Sequence, residues 1–257
     1  MGGPIPLDVT NRFVVDFARR HGGRVLDYGC GAGRSVVAAR ELGIDMYGTD
    51  VFYGGSQTRA EAEATGLFGD RIREMTAERI PFGDGEFDLV TNNQVMEHVE
   101  DLDATLREIA RVLKPGGTCL SVFPSKDVWR EGHIGIPLAH RLPKGSRVRF
   151  LYTWALRAAG LGTWKEQAPT AQQWAVDKLE WIDRWTRYRS RAEIFAAYSR
   201  YFENELREGD YIRYRLLDSP TPQRQRLART TDWPVISPLQ VALFRKLAFL
   251  VIVSRKR

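Results

Sequence analysis

The sequence predicts an α/β fold with a seven-stranded, mostly parallel sheet, helices on both faces and an inserted α-rich cap. Short apolar segments typical of strands alternate with segments whose apolar residues recur at helical spacing. A glycine-rich turn joins the first strand to a helix, and the alternation stops after residue 124, where arginine and aromatic residues become frequent. Strands that alternate with helices favour a parallel sheet, because each helix carries the chain back to the edge where the strand began.

The chain has 257 residues, which favours one domain with additions. We expect residues 7–124 to form the donor-binding core of this domain, residues 125–190 to form the inserted cap and residues 191–257 to complete the sheet. Hydrophobic residues make up 43% of the sequence and charged residues 27%. These fractions are typical of packed globular proteins, so neither disorder nor a fibrous structure is expected.

The first half of the chain repeats the order of strand, turn and helix. Apolar residues at helical spacing predict an opening helix over residues 7–20, which His21-Gly22-Gly23 ends. Short apolar runs predict strands over residues 24–28, 45–49 and 72–76. Helical patterns follow the first two of these strands, over residues 34–42 and 56–64.

The rest of the chain contains two predicted helices and four predicted strands outside the cap. A well-patterned helix covers residues 101–113, and Lys114-Pro115-Gly116-Gly117 ends it because proline cannot continue a helix. Strands are predicted on either side of this helix, over residues 87–91 and 118–123. Beyond the cap, the pattern predicts a helix over residues 191–205 and strands over residues 211–217 and 248–253. These last two strands bring the predicted sheet to seven.

The turn after the first strand has the composition of a ligand-binding loop. Gly29, Gly31 and Gly33 let the backbone bend tightly and approach a ligand that a Cβ atom would push away. Asp27 precedes this turn and Asp50 follows the second strand, so both carboxylates should project into the crevice at the carboxyl ends of the strands. One carboxylate can face an ammonium group while the other accepts hydrogen bonds from ribose hydroxyls.

Four motifs between residues 24 and 124 resemble the class I methyltransferases, specifically the small-molecule, type 11 group related to the ubiquinone and menaquinone C-methyltransferases. The motifs are Val25-Leu26-Asp27-Tyr28-Gly29-Cys30-Gly31-Ala32-Gly33, Asp50, Ile80-Pro81-Phe82-Gly83-Asp84-Gly85-Glu86-Phe87-Asp88 and Arg111-Val112-Leu113-Lys114-Pro115-Gly116-Gly117. Their order and spacing together make the resemblance specific. It implies a Rossmann-like fold, S-adenosyl-L-methionine as cofactor, and methyl transfer to a small molecule that is apolar, aromatic or lipid-linked.

The resemblance also implies roles for residues of the crevice. Asp27 and the glycine turn would hold the methionine part of the donor, and Asp50 would bind the ribose. Asn92, at the end of the fourth strand, would line the pocket near the sulfonium.

The contacts to adenine are less complete in this sequence than in the family. Thr76 stands where the family often has an acidic residue that binds the adenine amino group. Either Glu78 substitutes for that residue or the contact is missing, and Ala77 and Glu78 are the candidates for contact with the donor in this segment. His98 is a further candidate for contact with the donor, or it orients a helix or the pocket wall.

The cap contains the candidate catalytic residues. Methyl transfer from a sulfonium is an in-line displacement, for which a protein aligns the nucleophile, excludes water and, for a hydroxyl or amine, assists proton loss. His133 and His140 are the candidate bases, with surface or capping roles as the alternative. Aromatic residues of the cap predict either a cover for an apolar acceptor or a satellite core; they are Trp129, Phe150, Tyr152, Trp154, Trp164, Trp174, Trp181 and Trp185.

No metal ligand is assigned, because the two cysteines, Cys30 and Cys119, match no zinc-site spacing. Two cysteines also cannot form a disulfide framework, which favours a reducing cytoplasm. Neither the first ten residues nor the longest late apolar run, over residues 247–253, has the pattern of an export signal or a membrane span.

The formal net charge of +6 favours anionic partners but does not choose among nucleic acid, a lipid surface and an acidic substrate. We expect a small-molecule acceptor and no specific nucleic acid. Two basic groups predict either peripheral membrane contact or simply a solvated surface; they are Arg141, Lys144, Arg147 and Arg149 in the cap, and Arg255-Lys256-Arg257 at the end of the sequence.

Other functions fit parts of the sequence. A nicotinamide dehydrogenase is disfavoured because Arg34 stands where its G-x-G-x-x-G fingerprint requires the third glycine. Radical use of the same cofactor is excluded because two cysteines cannot supply a three-cysteine iron–sulfur cluster. Methylation of RNA or another macromolecule, and cofactor binding without catalysis, are the alternatives that the sequence leaves open.

Overall fold

The computed structural model describes residues 7–53 and 57–257. Two predictions fall partly outside the described residues. One concerns residues 1–6, in the segment without an export pattern, and the other concerns Ser56, the predicted start of the third helix. Within the described ranges, no helix is both long enough and apolar enough to cross a bilayer.

The described residues contain one sheet of seven strands: β1 (Val25–Tyr28), β2 (Met46–Asp50), β3 (Ile72–Glu74), β4 (Phe87–Asn93), β5 (Leu113–Phe123), β6 (Phe202–Leu206) and β7 (Leu250–Lys256). Their order in the sheet is β3-β2-β1-β4-β5-β7-β6. The first five strands are parallel, whereas β7 runs antiparallel to β5 and β6. The predicted fold class is therefore confirmed. The strand order reverses between β1 and β4, which is where ligands bind in open α/β sheets.

Helices cover both faces of this sheet. In the described part of the chain they are α1 (Val9–His21), α2 (Arg34–Glu41), α3 (Gln57–Ala64), α4 (Leu102–Val112), α5 (Arg147–Ala158), α6 (Ala171–Trp185), α7 (Arg191–Tyr198), α8 (Glu208–Leu217), α9 (Pro222–Leu227) and α10 (Ile236–Leu247). Buried residues of α4 and α7 pack on one face of the sheet. Those of α1, α2 and α8 pack on the other face.

Capping residues set the ends of the helices that flank the crevice. The side chain of Asp8 accepts hydrogen bonds from the backbone N–H groups of Thr10 and Asn11 at the start of α1. Asp101 caps α4 through the N–H of Ala104. Such caps satisfy N–H groups that a helix leaves without a partner. Gly22, with φ of 72°, ends α1, as the sequence predicts.

The sixth strand lies elsewhere than predicted. The predicted helix over residues 191–205 ends at Tyr198, and its last residues form β6, in which Leu206 pairs with Ile252 of β7. The predicted strand over residues 211–217 is wrong, because this segment belongs to α8. Tyr211 and Tyr214 lie three residues apart, and both rings contact the ring of Phe13 in α1, at 5.1 and 5.3 Å. Packing of both rings on one helix face therefore favours a helix over the strand that the alternating pattern predicts.

Two further differences concern element boundaries. Strand β5 begins before residue 118, because Leu113 pairs with Phe87 ahead of a register shift. Residues 218–247, for which the pattern predicts no element, contain α9 and α10.

Between β5 and α7, the described chain adds helices α5 and α6 but no strand of the sheet. These helices have a small core of their own, formed by Ile134, Ile136, Ala139, Trp174, Ala175 and Ile182. Arg149 of α5 is almost fully buried, lies 2.5 Å from the carboxylate of Asp183 in α6 and donates to the carbonyl of Ala139. Arg149 therefore does not belong to a solvated basic surface, which corrects the prediction for this residue.

The basic tail is also part of the fold. Lys256 lies in β7, and its Nζ donates to the carbonyl oxygen of Leu113 at 2.7 Å.

Candidate active site

The glycine turn and Asp50 share one crevice at the carboxyl ends of β1 and β2. The N–H of Gly31 donates to Asp50 Oδ2 at 2.8 Å. The N–H groups of Gly29 and Cys30 donate to the carbonyl of Thr49 in β2, at 2.8 and 3.1 Å. These bonds hold the turn against the end of the second strand.

The three glycines of the turn have different roles. A Cβ atom at Gly29 would lie 2.4 Å from Val95, and one at Gly33 would lie 2.3 Å from Ile72, so both positions are needed for packing. A Cβ at Gly31 would meet no atom within 4 Å. Gly31 has φ of 51° and exposes its backbone to the open crevice, where a ligand can lie against it.

Asp27 is a buried carboxylate beside the same turn. Its Oδ1 accepts a hydrogen bond from the hydroxyl of Thr91 at 2.9 Å. Burial raises its pKa to about 7, against the lowering effect of the Thr91 hydrogen bond, and the charge of Asp50 adds to the rise. A nearby cation stabilises the charged form of a buried carboxylate. Asp27 is thus suited to receive an ammonium group.

The loop after β3 reaches the same edge of the sheet. The N–H of Met75 donates to the carbonyl of Asp50 at 2.9 Å. Thr76 Oγ1 accepts hydrogen bonds from the N–H groups of Glu78 and Arg79, at 3.3 and 3.1 Å. The side chains of Ala77 and Glu78 are exposed beside this turn.

The structure does not bring Asn92 to the crevice. Its side chain is fully buried, and Nδ2 donates to Ser121 Oγ of β5 at 2.9 Å. The hydroxyl of Tyr198 in α7 donates to the same oxygen. Asn92 therefore lies in a polar network between the sheet and α7.

A row of rings connects the crevice to the segment 125–190. Tyr53, three residues after Asp50, lies 5.2 Å from the ring of Trp185 at the end of α6. The carbonyl oxygen of Trp185 accepts a hydrogen bond from His98 Nδ1 at 2.7 Å. The ring of His98 lies 5.0 Å from that of His133, and Trp181 lies 5.1 Å from His133. This places His98 and His133 in one aromatic wall.

His133 is oriented by a buried acid. Its Nδ1 lies 2.8 Å from Glu131 Oε1, which also accepts from the hydroxyl of Tyr188 at 2.5 Å. The N–H of Ile134 donates to the other oxygen of Glu131 at 2.6 Å. Burial lowers the pKa of His133, but the hydrogen bond and charge of Glu131 outweigh it, so the net pKa is raised. Because Nδ1 is engaged, Nε2 is the nitrogen left to accept a proton.

His140 has a different environment. Its Nε2 lies 3.1 Å from the carbonyl oxygen of Lys126, and its ring packs 4.9 Å from that of Tyr188. Burial lowers its pKa. His140 thus lies beyond Tyr188, outside the group that contains His98 and His133.

Glu97 adds a third potential ligand to this pair of histidines. It is almost fully buried, and neither carboxylate oxygen has a hydrogen-bond partner on another residue. Burial raises the pKa of Glu97 to about 8. One donor atom from each of Glu97, His98 and His133 lies within 4.8 Å of the others. Among the residues that the structure describes, this group alone could hold a metal ion. The sequence assigns no metal ligand because the fold, rather than close spacing, brings His133 to the other two.

Sequence reasoning missed Glu131, Tyr188 and Tyr53, and it named Trp185 only among the aromatic residues of the cap. Only Glu131 could have been noticed from the sequence, because it stands two residues before the candidate base His133. Tyr188 is 57 residues from Glu131, so only tertiary structure reveals their contact.

The chain matches known proteins over the segment that carries this crevice. Residues 26–121 match the family model described as "Methyltransferase domain". A "Ubiquinone biosynthesis O-methyltransferase" of Dinoroseobacter shibae is 31% identical over an alignment of 195 residues, which covers 67% of this chain and 78% of that protein. A protein of the same description from Ruegeria pomeroyi is 33% identical over 57% of this chain, but the match spans only 63% of that relative.

A solved structure supports the fold. The S-adenosylmethionine-dependent methyltransferase from Mesorhizobium loti is 19% identical, with 94% of this chain and 96% of that chain covered at a TM-score of 0.53. The family model and the relative from Dinoroseobacter shibae make the chain an enzyme that uses S-adenosyl-L-methionine to methylate a small molecule. It belongs to the class I S-adenosylmethionine-dependent methyltransferases, in the group related to the ubiquinone methyltransferases.

Proposed function

We propose that the enzyme methylates a hydroxyl group of an apolar, aromatic small molecule, which binds between the glycine turn and the segment 125–190. The observation that carries the proposal is the position of His133, which is oriented by Glu131 within a wall of aromatic rings. The printed descriptions of the relatives, which name O-methylation in ubiquinone biosynthesis, support the same chemistry.

The residues of the crevice fit S-adenosyl-L-methionine. Gly31 leaves space that a Cβ would fill, and Asp27 is a buried acid with a single side-chain hydrogen bond. In the proposed arrangement Asp27 binds the ammonium group, the turn contacts the carboxylate part, and Asp50 accepts from the ribose hydroxyls. When bound, this cofactor supplies an electrophilic methyl group on a sulfonium. Ala77, Glu78 and His98 stay candidates for contact with the donor, whereas the burial of Asn92 argues against such a role.

In the proposed reaction His133 removes the proton of the acceptor. A hydroxyl oxygen is a weak nucleophile until its proton leaves, and a positioned imidazole can accept it through Nε2. Glu131 holds the ring and stabilises the imidazolium that forms. His140, whose Nε2 is next to a backbone carbonyl, is left with a packing role.

We further propose that residues 125–190 act as a cap over the acceptor, within the single domain expected from the sequence. Trp181 and Trp185 of α6 face the histidines and Tyr53, so the cap supplies the apolar wall. Trp174, in contrast, is fully buried in the core of the cap itself. Exclusion of water by such a wall would protect the reacting groups and favour an apolar acceptor.

The test compares His133→Ala with His140→Ala on a panel of apolar phenols and quinols, with product detected by mass spectrometry. We expect His133→Ala to lower kcat by about 10²-fold or more while the donor Kd stays near that of the wild type. His140→Ala should retain most of its kcat if it folds. Equal turnover in His133→Ala and wild type would exclude His133 as the base.

Dialysis against a chelator separates a base from a metal ligand. The proposed base needs no metal, so activity should survive dialysis. Loss of activity that zinc or magnesium restores would instead assign Glu97, His98 and His133 to a metal ion.

A further inference from the structure

Helix α10 presents an apolar stripe to solvent. Val235, Leu239, Leu243 and Leu247 recur every fourth residue and are 74%, 66%, 52% and 57% exposed. Residues with this spacing lie on one face of a helix, and α10 has no buried residue. Trp233, just before the helix, is 54% exposed. We call these five residues the α10 stripe.

Two residues of α10, each one position after a leucine of the stripe, fix the helix to the protein. The ring of Phe244 packs against Tyr211 at 5.6 Å and against Phe249 at 5.2 Å. Gln240 Nε2 donates to Thr230 Oγ1 at 2.7 Å. Because Gln240 and Phe244 are held by these contacts, the exposed α10 stripe keeps a defined orientation.

The segment of the chain that carries the stripe is basic. Residues 219–257 contain eight arginines and lysines but a single acidic residue, Asp232, which already pairs with Arg213. Arg224, Arg226 and Arg229 are exposed, and no carboxylate in the described ranges lies within ion-pair distance of them. Apolar side chains with an exposed tryptophan and flanking arginines match the interface of an anionic bilayer, where the rings and stems enter the headgroup region.

We propose that the α10 stripe and these three arginines dock the enzyme on anionic membrane surfaces. The bilayer accepts the leucines, and its anionic headgroups attract the arginines. A second copy of the chain is a less suitable occupant, because it would bring its own arginines to the same contact. The helix has 12 residues and so lies on the bilayer rather than across it. This inference does not depend on the identity of the acceptor.

The test is co-sedimentation of the full-length protein with vesicles of phosphatidylglycerol and phosphatidylcholine, and with vesicles of phosphatidylcholine alone. We expect binding to the anionic vesicles, and its loss at high salt. Leu239→Ser/Leu243→Ser and Arg224→Glu/Arg226→Glu should each weaken this binding by roughly tenfold or more. All four side chains are exposed, so the variants should unfold at the wild-type temperature.

Leu42→Ser is the matched control. Leu42 is 52% exposed, like Leu243, but lies at the end of α2. Leu243→Ser should weaken vesicle binding more than Leu42→Ser. Equal binding of wild type to both kinds of vesicle, or unchanged binding of the Leu239→Ser/Leu243→Ser variant, would overturn the proposal. So would a wild-type dimer in sedimentation equilibrium that this variant abolishes without any loss of vesicle binding.

Discussion

At the scale of single residues, Asp27 and Asp50 end neighbouring strands but differ in their surroundings. Asp27 is buried and accepts one side-chain hydrogen bond, from Thr91. Asp50 is half-buried and accepts backbone N–H groups of Gly31 and Phe52, at 2.8 and 3.2 Å. A buried acid responds strongly to a cation, whereas a partly solvated acid is suited to hydroxyl groups. This difference supports the proposal that Asp27 binds the ammonium group of the donor and Asp50 binds its ribose.

Donor affinity should fall as the pH drops below about 7. Burial raises the pKa of Asp27 to about 7, so at lower pH the free protein carries a neutral acid there, which cannot pair with an ammonium group. If only the charged form binds, Kd should rise by about tenfold for each pH unit below this pKa. Calorimetric titration over the range from about pH 5.5 to 8.5 measures this. Asp27→Asn should bind weakly with little pH dependence; an unchanged pH profile in that variant would contradict the assignment.

The sequence predicted Asp27, Asp50 and the glycines because they are close to one strand end and belong to a specific motif. It predicted His133 as a candidate but not its partner Glu131, since nearness in sequence alone does not show that the carboxylate turns back onto the ring. Asn92 was predicted to line the donor pocket from the resemblance to the methyltransferase family. The sequence alone could not reveal that its amide faces Ser121.

At the scale of secondary-structure elements, the turn between β1 and α2 contains glycines needed for packing and one glycine, Gly31, proposed to contact the donor. Gly31 and Gly43 both have positive φ, 51° and 72°, and a Cβ at either would meet no atom within 4 Å. Gly31→Ala and Gly43→Ala should therefore each cost about 1 kcal/mol of stability. Only Gly31→Ala puts a methyl group where the donor should lie. Thermal unfolding and donor titration of both variants measure the two effects, and equal donor affinity in the two would contradict the role of Gly31.

Most strands and helices follow from periodicity, but the end of the chain does not. In β6 the exposed residues Glu203 and Glu205 alternate with less exposed ones at the edge of the sheet, and the segment pairs with β7 instead of extending α7. In α8 the pattern fits either element, and contact with α1 decides. Sequence separation of about 200 residues hides that contact from any local pattern.

At the scale of the whole molecule, the cap connects two parts of the site. It contacts the crevice through Trp185 and Tyr53 and carries His133. The motifs of the family predicted the donor side well, since they lie within residues 26–121. The acceptor side was less predictable, because the cap has no such motifs and its geometry depends on its own core.

Loosening the cap should reduce methyl transfer more than donor binding. Arg149→Ala would leave Asp183 without its main partner and should cost about 2–4 kcal/mol within the cap. Hydrogen exchange of α5 and α6, together with kcat and donor Kd, measures the effect. Lys144→Ala is the control, since Lys144 lies 3.9 Å from the same carboxylate but is exposed, and its loss should cost under about 1 kcal/mol. Equal protection from exchange in the two variants would contradict this account of the cap.

Calorimetric titration of S-adenosyl-L-methionine and its demethylated product into wild type, Asp50→Ala and Asp45→Ala tests the shared crevice most directly. Asp45 is the exposed partner of Arg71 just before β2, so its variant is the control. We expect one site in the wild type, a loss of about 1–3 kcal/mol in Asp50→Ala and no change in Asp45→Ala. A wild-type protein that binds neither compound, or an Asp50→Ala variant that binds both as tightly as the wild type, would contradict the account.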